Sequence, residues 1–425
     1  MAGMKRNILA NYLGAGCVAL GPVLALPWYL SALGPELFGL IGFVSMVVAL
    51  LGLLDAGMSQ ALVRAVAIHF KGDGGSGGRT ADLLLGFERI YWGFAIGAGG
   101  LILLLSNKIA TQWLVLDKGS VNQGQYALWG AAVIFMLQFP GSLYRSVLVG
   151  AQEQVYLNGT LAGGAVIRHL GGVLVISAWP VLSAYLVWHA LIAGLETILR
   201  AWLAWHTLGS KRRSRRWDDA QMRDLWKAVA GMSAATWLGA LTVQMDKIFV
   251  SKMVDIEQFG YYTIAAAVAS GLLQLVYPVM QAALPLAVQL RSDHLGLRRL
   301  SFRLFGIFAL MVVGGGLGFA LLGQWALEIW LKSPIAVESV YPVLALLLVG
   351  TALNALYNVG YMHWIVHEKI RRVVQVNALA LLLSLLVIPP LVSFYGPIGA
   401  AFGWLAINLV GFILSLEWIK KSSYE

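Results

Sequence analysis

A chain of 425 residues, 59% hydrophobic and only 12% charged, is too apolar for a water-soluble fold, in which about a quarter of residues carry charge. Cys17 is its one cysteine, which excludes intrachain disulfides, thiolate zinc sites and CxxC redox chemistry. A net charge of +10 would suit nucleic acid, but the basic residues sit in short segments between apolar runs rather than on a basic face, so the charge is read as membrane topology and nucleic acid as no partner.

Lys5 and Arg6 precede the first apolar run as in a signal peptide, yet the run continues to Leu30 without a small-residue cleavage site, so it is expected to be a retained first helix. Runs long enough to cross about 30 Å of hydrocarbon then recur down the chain. In the first half they are predicted at 8–30, 38–63, 83–105, 126–149, 157–178 and 181–206. In the second half they are predicted at 228–250, 259–287, 302–324, 340–364, 375–394 and 398–418.

The fold class is therefore all-α, a polytopic membrane protein of about twelve helices. It is organised as an N-terminal bundle of six helices (1–210), a basic linker (211–227) and a C-terminal bundle of six (228–425). An internal repeat supports the division. Glu36, Phe38 and Gly39 recur as Glu257, Phe259 and Gly260, and Gln60-Ala61 recurs as Gln281-Ala282, all at an offset of 221 residues. Two halves of parallel topology are an arrangement found in transporters.

With the N-terminus inside, 21 of the 30 Lys and Arg residues fall on the cytoplasmic side, including the Lys211 to Arg216 run. The opposite loops hold Lys108, Lys118, Lys252 and Lys332, so both termini are expected in the cytoplasm of a bacterial inner membrane. The Gly-rich segment Gly72 to Gly78 reads as a flexible cytoplasmic loop.

Charged residues at membrane depth are costly and are functional candidates by default. Arg168 lies near the middle of the fifth span with no acidic neighbour one turn away; it faces a hydrated cavity or meets a partner from another helix. Glu196 and Arg200 stand at i, i+4 with Glu leading, which suits either a self-neutralising pair or a cavity role. Asp55 is too deep for a short side chain to reach water, and is an ion-coupling candidate or a helix-packing hydrogen bond. Asp246 and Lys247 stand near the external end of the seventh span, where solvation explains them as well as a site does. Glu88, Arg89 and Arg145 are expected at the cytoplasmic interface, and His189 and His363 as packed polar groups. Prolines at 22, 27, 140, 278, 285, 389 and 390 and the Gly314 to Gly316 run are expected to bend helices, as alternating access requires. No P-loop, GxSxG, HExxH or cofactor-binding glycine motif is present, so neither an enzyme nor a cofactor is expected.

Asn11-Tyr12-Leu13, the stretch Tyr29 to Leu40 (YLSALGPELFGL), Leu53 to Ala61 (LLDAGMSQA) with Arg64, and Gln244-Met245-Asp246-Lys247 followed by Phe259-Gly260-Tyr261-Tyr262 resemble the Wzx-type O-antigen flippases, a polysaccharide-transporter family of the MATE-like superfamily. The resemblance implies a MATE-like fold of two six-helix bundles. It also implies export of undecaprenyl-pyrophosphate-linked oligosaccharide through a central cationic cavity, alongside a polysaccharide polymerase and chain-length proteins. Arg168 and Arg200 first, then Arg145, Arg89 and Lys247, are the positions available to bind that substrate. Asp55, Asp246, Glu196 and Glu88 are those available to couple a proton or sodium ion. Three rival readings fit less well. A MATE-type small-molecule exporter would bind cations through mid-depth acids, and a membrane-embedded polymerase would need a large periplasmic loop. A scaffold would need none of these charges.

Overall fold

The computed structural model describes residues 2–55, 57–69, 77–209 and 219–419. The Lys211 to Arg216 run, most of the Gly-rich loop, Lys420 and Lys421, and the side chains of Lys5, Arg6 and Asn11 to Leu13 lie outside the described residues.

What is described is helix joined by short turns. The elements are α1 (Ala2–Gly52), α2 (Met58–His69), α3 (Gly77–Gln112), α4 (Val121–Gly150), α5 (Gln154–Ala178), α6 (Leu182–Leu208), α7 (Asp219–Met253), α8 (Ile256–Gln289), α9 (His294–Leu331), α10 (Pro334–Val366), α11 (Ile370–Tyr395) and α12 (Pro397–Ser415). In lipid no water can satisfy a free peptide group, so a spanning chain closes its hydrogen bonds within each helix. Every predicted span but the second falls on a single helix. Among the described residues ten helices are long and apolar enough to cross a membrane, and α7 is the predicted span outside that set.

The first two predicted spans differ in detail from the structure. Both begin within α1, which is two helices meeting at Gly34, a residue in the left-handed region (φ 79°) that a β-carbon disfavours. The second span does not run unbroken to 63. It passes into a 3-10 turn at Leu53–Asp55, turns at Gly57 (φ 86°) and restarts as α2. Hydropathy cannot register such a break, because it averages over a window that stays apolar despite Asp55. The Asp55 carboxylate accepts the Ser59 backbone N–H (3.1 Å), and the Trp237 indole donates to the Leu53 carbonyl (2.7 Å), so the peptide groups freed by the break find partners.

Residues Met1–Trp237 form one compact unit and Leu238–Glu425 a second, with the division inside α7. The first unit is built around Leu62, Leu84, Tyr91, Phe135 and Leu143 from α2, α3 and α4. The second is built around Val276, Phe308, Ala355 and Val359 from α8, α9 and α10. The repeat is visible in both. Phe38 and Phe259 are each fully buried, in the helical turn that follows Gly34 and in the first turn of α8.

A second likeness lies in the turns. Between α4 and α5 the N–H groups of Ala151, Gln152, Glu153 and Gln154 bond to the carbonyls of Val147, Val149, Leu148 and Gln152. Between α10 and α11 those of His367, Glu368, Lys369 and Ile370 bond to His363, Ile365, Trp364 and Glu368 in the same pattern. Gln152 (φ 61°) and Glu368 (φ 57°) take the same left-handed conformation at the same step.

Candidate functional site

Three of the deep charges of the first unit, Arg168, Glu196 and Arg200, converge on one point. α5 and α6 are joined by a tight turn at 179–181, so they form an antiparallel hairpin. Measured from that turn, Arg168 is about 16 Å along α5 and Glu196 about 22 Å along α6. Helical side chains lean toward the N-terminus of their own helix, so Arg168 leans away from the turn and Glu196 toward it, and the offset closes.

The Arg168 guanidinium donates to Glu196 Oε1 at 2.8 Å, and Arg200 donates to Glu196 Oε2 at 2.8 Å. Side-chain exposures of 15%, 13% and 9% for Arg168, Glu196 and Arg200 put the triad in a nearly closed setting. Arg168 therefore meets a partner from another helix, the second of the two readings that its position in the fifth span left open. The expected Glu196–Arg200 pair is present, extended by a second arginine.

The surroundings seat the triad closely. Gly164 of α5 lies under the carboxylate, and a β-carbon there would fall 2.5 Å from Glu196 Oε1. Gln138 of α4 approaches the second Arg168 nitrogen at 3.4 Å, and the Trp188 indole donates to the Arg168 carbonyl at 3.1 Å. Next to Arg200, the Thr197 hydroxyl donates to the Leu137 carbonyl (2.7 Å), three residues before Pro140, where the ladder of α4 is interrupted. Arg200 Nε is buried and has no hydrogen-bond partner among the described residues. One carboxylate between two guanidiniums leaves a formal charge of +1, and Arg145 is near enough to Arg200 for their charges to interact.

The remaining candidates are placed otherwise. Arg145 and Arg89 are exposed. Glu88, expected at the interface, is buried and accepts from the Tyr144 hydroxyl (3.0 Å) and the Trp205 indole (2.8 Å), because α4 and α6 cover that face of α3. Asp55, besides capping α2, accepts the Tyr91 hydroxyl. Asp246, for which a solvated helix end and a site were both open, is buried in the second unit and accepts the Tyr262 hydroxyl at 2.6 Å, with Lys247 Nζ 3.6 Å from its other oxygen. His189 stacks on Tyr185 (centroids 3.9 Å apart), and His363 bonds Ser301 Oγ at 2.7 Å and stacks on Trp418. Both are packed polar groups, as expected.

Sequence reading passed over Gln138, Tyr91, Tyr144, Trp205 and Tyr262. A tyrosine on a neighbouring helix is the common partner of Asp55, Glu88 and Asp246, and that pairing is invisible until helix order is known. Among the described residues no group of three or more His, Cys, Asp or Glu side chains is arranged to hold a metal ion.

The fold is shared with solved structures of multi-pass membrane proteins, among them ones described as a flippase and as multidrug transporters. It is similar to the lipid II flippase MurJ in an inward closed conformation, with a TM-score of 0.73, 12% identity, 98% of this chain covered and 88% of that one. It is similar to an inward-facing multidrug-resistance MATE transporter of the MOP superfamily, with a TM-score of 0.72, 12% identity, and 98% and 100% covered. It is also similar to a MOP-superfamily transporter from Pyrococcus furiosus, described as having a binding pocket of reverse polarity that suggests a different function; the TM-score is 0.64, identity 16%, and 96% and 93% are covered. At these identities the likeness concerns the fold.

Residues 162–334, the stretch that contains Arg168, Glu196 and Arg200, match the family of polysaccharide biosynthesis proteins. The family match, over two-fifths of the chain, agrees with the polysaccharide side of the resemblance, and the fold agrees with its MATE-like side. No curated protein matches the chain in sequence.

Proposed function

We propose that this protein is a flippase that carries undecaprenyl-pyrophosphate-linked oligosaccharide, an O-antigen or other surface-polysaccharide unit, from the cytoplasmic to the periplasmic leaflet by alternating access. The observation that carries the reading is the sign of the mid-depth charge. Arg168 and Arg200 outnumber Glu196, and their stretch matches a polysaccharide family. A diphosphate headgroup is too polar for hydrocarbon while its prenyl tail stays in lipid, so a cationic site beside the bilayer lowers the main barrier. Arginine suits the task because its planar fork binds phosphate through paired hydrogen bonds and keeps its charge when desolvated. Each negative charge moved outward gains about 2.3 kcal/mol per 100 mV of inside-negative potential, so export runs with the field.

A MATE-type exporter of organic cations shares the fold, but a net positive site repels such cargo. The test is leaflet exchange of a fluorescent polyprenyl-diphosphate saccharide in liposomes containing the full-length protein. Wild type should exchange it, R168A should lose at least tenfold at normal abundance because Glu196 keeps Arg200, and R168K should recover part. Exchange that is the same with and without protein would refute the reading.

A further inference from the structure

Four carboxylates singled out at depth, Asp55, Glu88, Glu196 and Asp246, are not treated alike. Asp55 and Glu88 receive a tyrosine hydroxyl, a neutral donor that a substrate anion has no reason to capture, and Asp246 receives one on one oxygen with a single cation, Lys247, 3.6 Å from the other. Among the described residues Glu196 alone divides its two oxygens between two guanidiniums. Those guanidiniums are the groups a diphosphate would seek.

We propose that Glu196 is the protein's own occupant of the anion site, holding Arg168 and Arg200 in place of a diphosphate and leaving them when one binds. This inference rests on the anion-transport reading above.

The geometry favours a temporary tenant over a permanent partner. Both Glu196 oxygens are already used, yet Arg200 Nε is buried with no acceptor among the described residues, and the second Arg168 nitrogen reaches only Gln138 at 3.4 Å. The site thus offers more donors than one carboxylate can serve. A diphosphate brings more oxygens and more than one negative charge, so it matches both the surplus donors and the surplus positive charge. The carboxylate is also seated by fit, since Gly164 leaves it space that any side chain would close. A competing anion inside the site would keep small singly charged anions such as chloride from occupying it. Selectivity then comes from the penalty of displacing Glu196, which a ligand with one charge and few oxygens repays poorly.

The experiment uses the full-length protein in detergent with inorganic pyrophosphate as the probe, followed by calorimetry. Wild type should bind weakly. E196Q, of nearly the same shape but without the competing charge, should bind on the order of tenfold tighter, the effect of removing about 1.4 kcal/mol of competition. R168A should reduce binding at least tenfold in both backgrounds. G164A keeps all three charges but crowds the carboxylate, so it should also tighten binding, and it serves where E196Q lowers the yield of folded protein.

If pyrophosphate binds in an Arg168-dependent way and neither E196Q nor G164A tightens it, Glu196 is no competitor and the inference falls while the anion site stands. If pyrophosphate binds to none of these proteins, or binds equally to R168A, the anion-site reading falls with it.

Discussion

The triad makes a quantitative demand on stability, because its two arginines share one acid. Removing either arginine alone leaves Glu196 with a partner at 2.8 Å. The lost charge-assisted hydrogen bond is worth about 1.5–3 kcal/mol, but relief of a desolvated guanidinium offsets much of it, so R168A and R200A should each cost about 1 kcal/mol or less. Removing both strands a carboxylate that is 13% exposed, and an uncompensated buried charge costs about 3–5 kcal/mol. The double variant should therefore exceed the sum of the singles by at least about 1–3 kcal/mol. Adding E196Q to the double variant should recover most of the loss, since a neutral amide replaces the stranded charge.

The assay is thermal unfolding of the purified protein in detergent at pH 8, where a unit of this size moves by about 2–4 °C per kcal/mol. A double-variant shift equal to the sum of the single shifts, or a triple variant no better than the double, would show that Glu196 does not depend on the two arginines.

Two further outcomes are expected. Reporter fusions at Gly74, Arg213, Ser292 and Glu425 should read cytoplasmic and those at Lys118, Asp255 and Ser333 periplasmic; a periplasmic signal at Arg213 would contradict the proposed division into two parallel halves. At the turn after α10, burial holds the His367 imidazole below its usual 6.5, with Lys369, Arg291 and His294 pushing the same way. The unfolded chain then takes up a proton at His367 that the folded protein refuses, so stability falls as pH drops below about 6.5, and H367N should flatten that part of a stability–pH curve.

Spans were legible because length and apolarity are properties of a segment by itself. The Glu196–Arg200 pair was legible for a related reason, since i, i+4 spacing on one helix fixes the contact without any tertiary knowledge. The partner of Arg168 was not, because Glu196 is 28 residues away and meets it only through the length of the turn at 179–181. The partners of Glu88 were hidden for the same reason. Its distance along α3 suggested an interface, while Tyr144 and Trp205 arrive from 56 and 117 residues away to bury it. The 221-residue repeat showed in the letters, whereas the matched turns at Gln152 and Glu368 did not, since their likeness is carried by backbone hydrogen bonds that many side chains permit.

The break at Gly57 acquires a meaning when set beside its duplicate. Shifting Gly57 by the repeat offset lands on Pro278, which sits inside α8, a helix that runs unbroken from Ile256 to Gln289. Both copies hold a residue hostile to regular helix at the same place, yet one copy snaps there and the other stays whole. In the snapped copy the twelve residues of α2 form a separate lever with its own capped start, whereas in the whole copy any motion introduced at one end must be carried to the other. The same step of the repeat is thus written twice, once as an interrupted helix with a capped restart and once as a proline carried inside continuous helix.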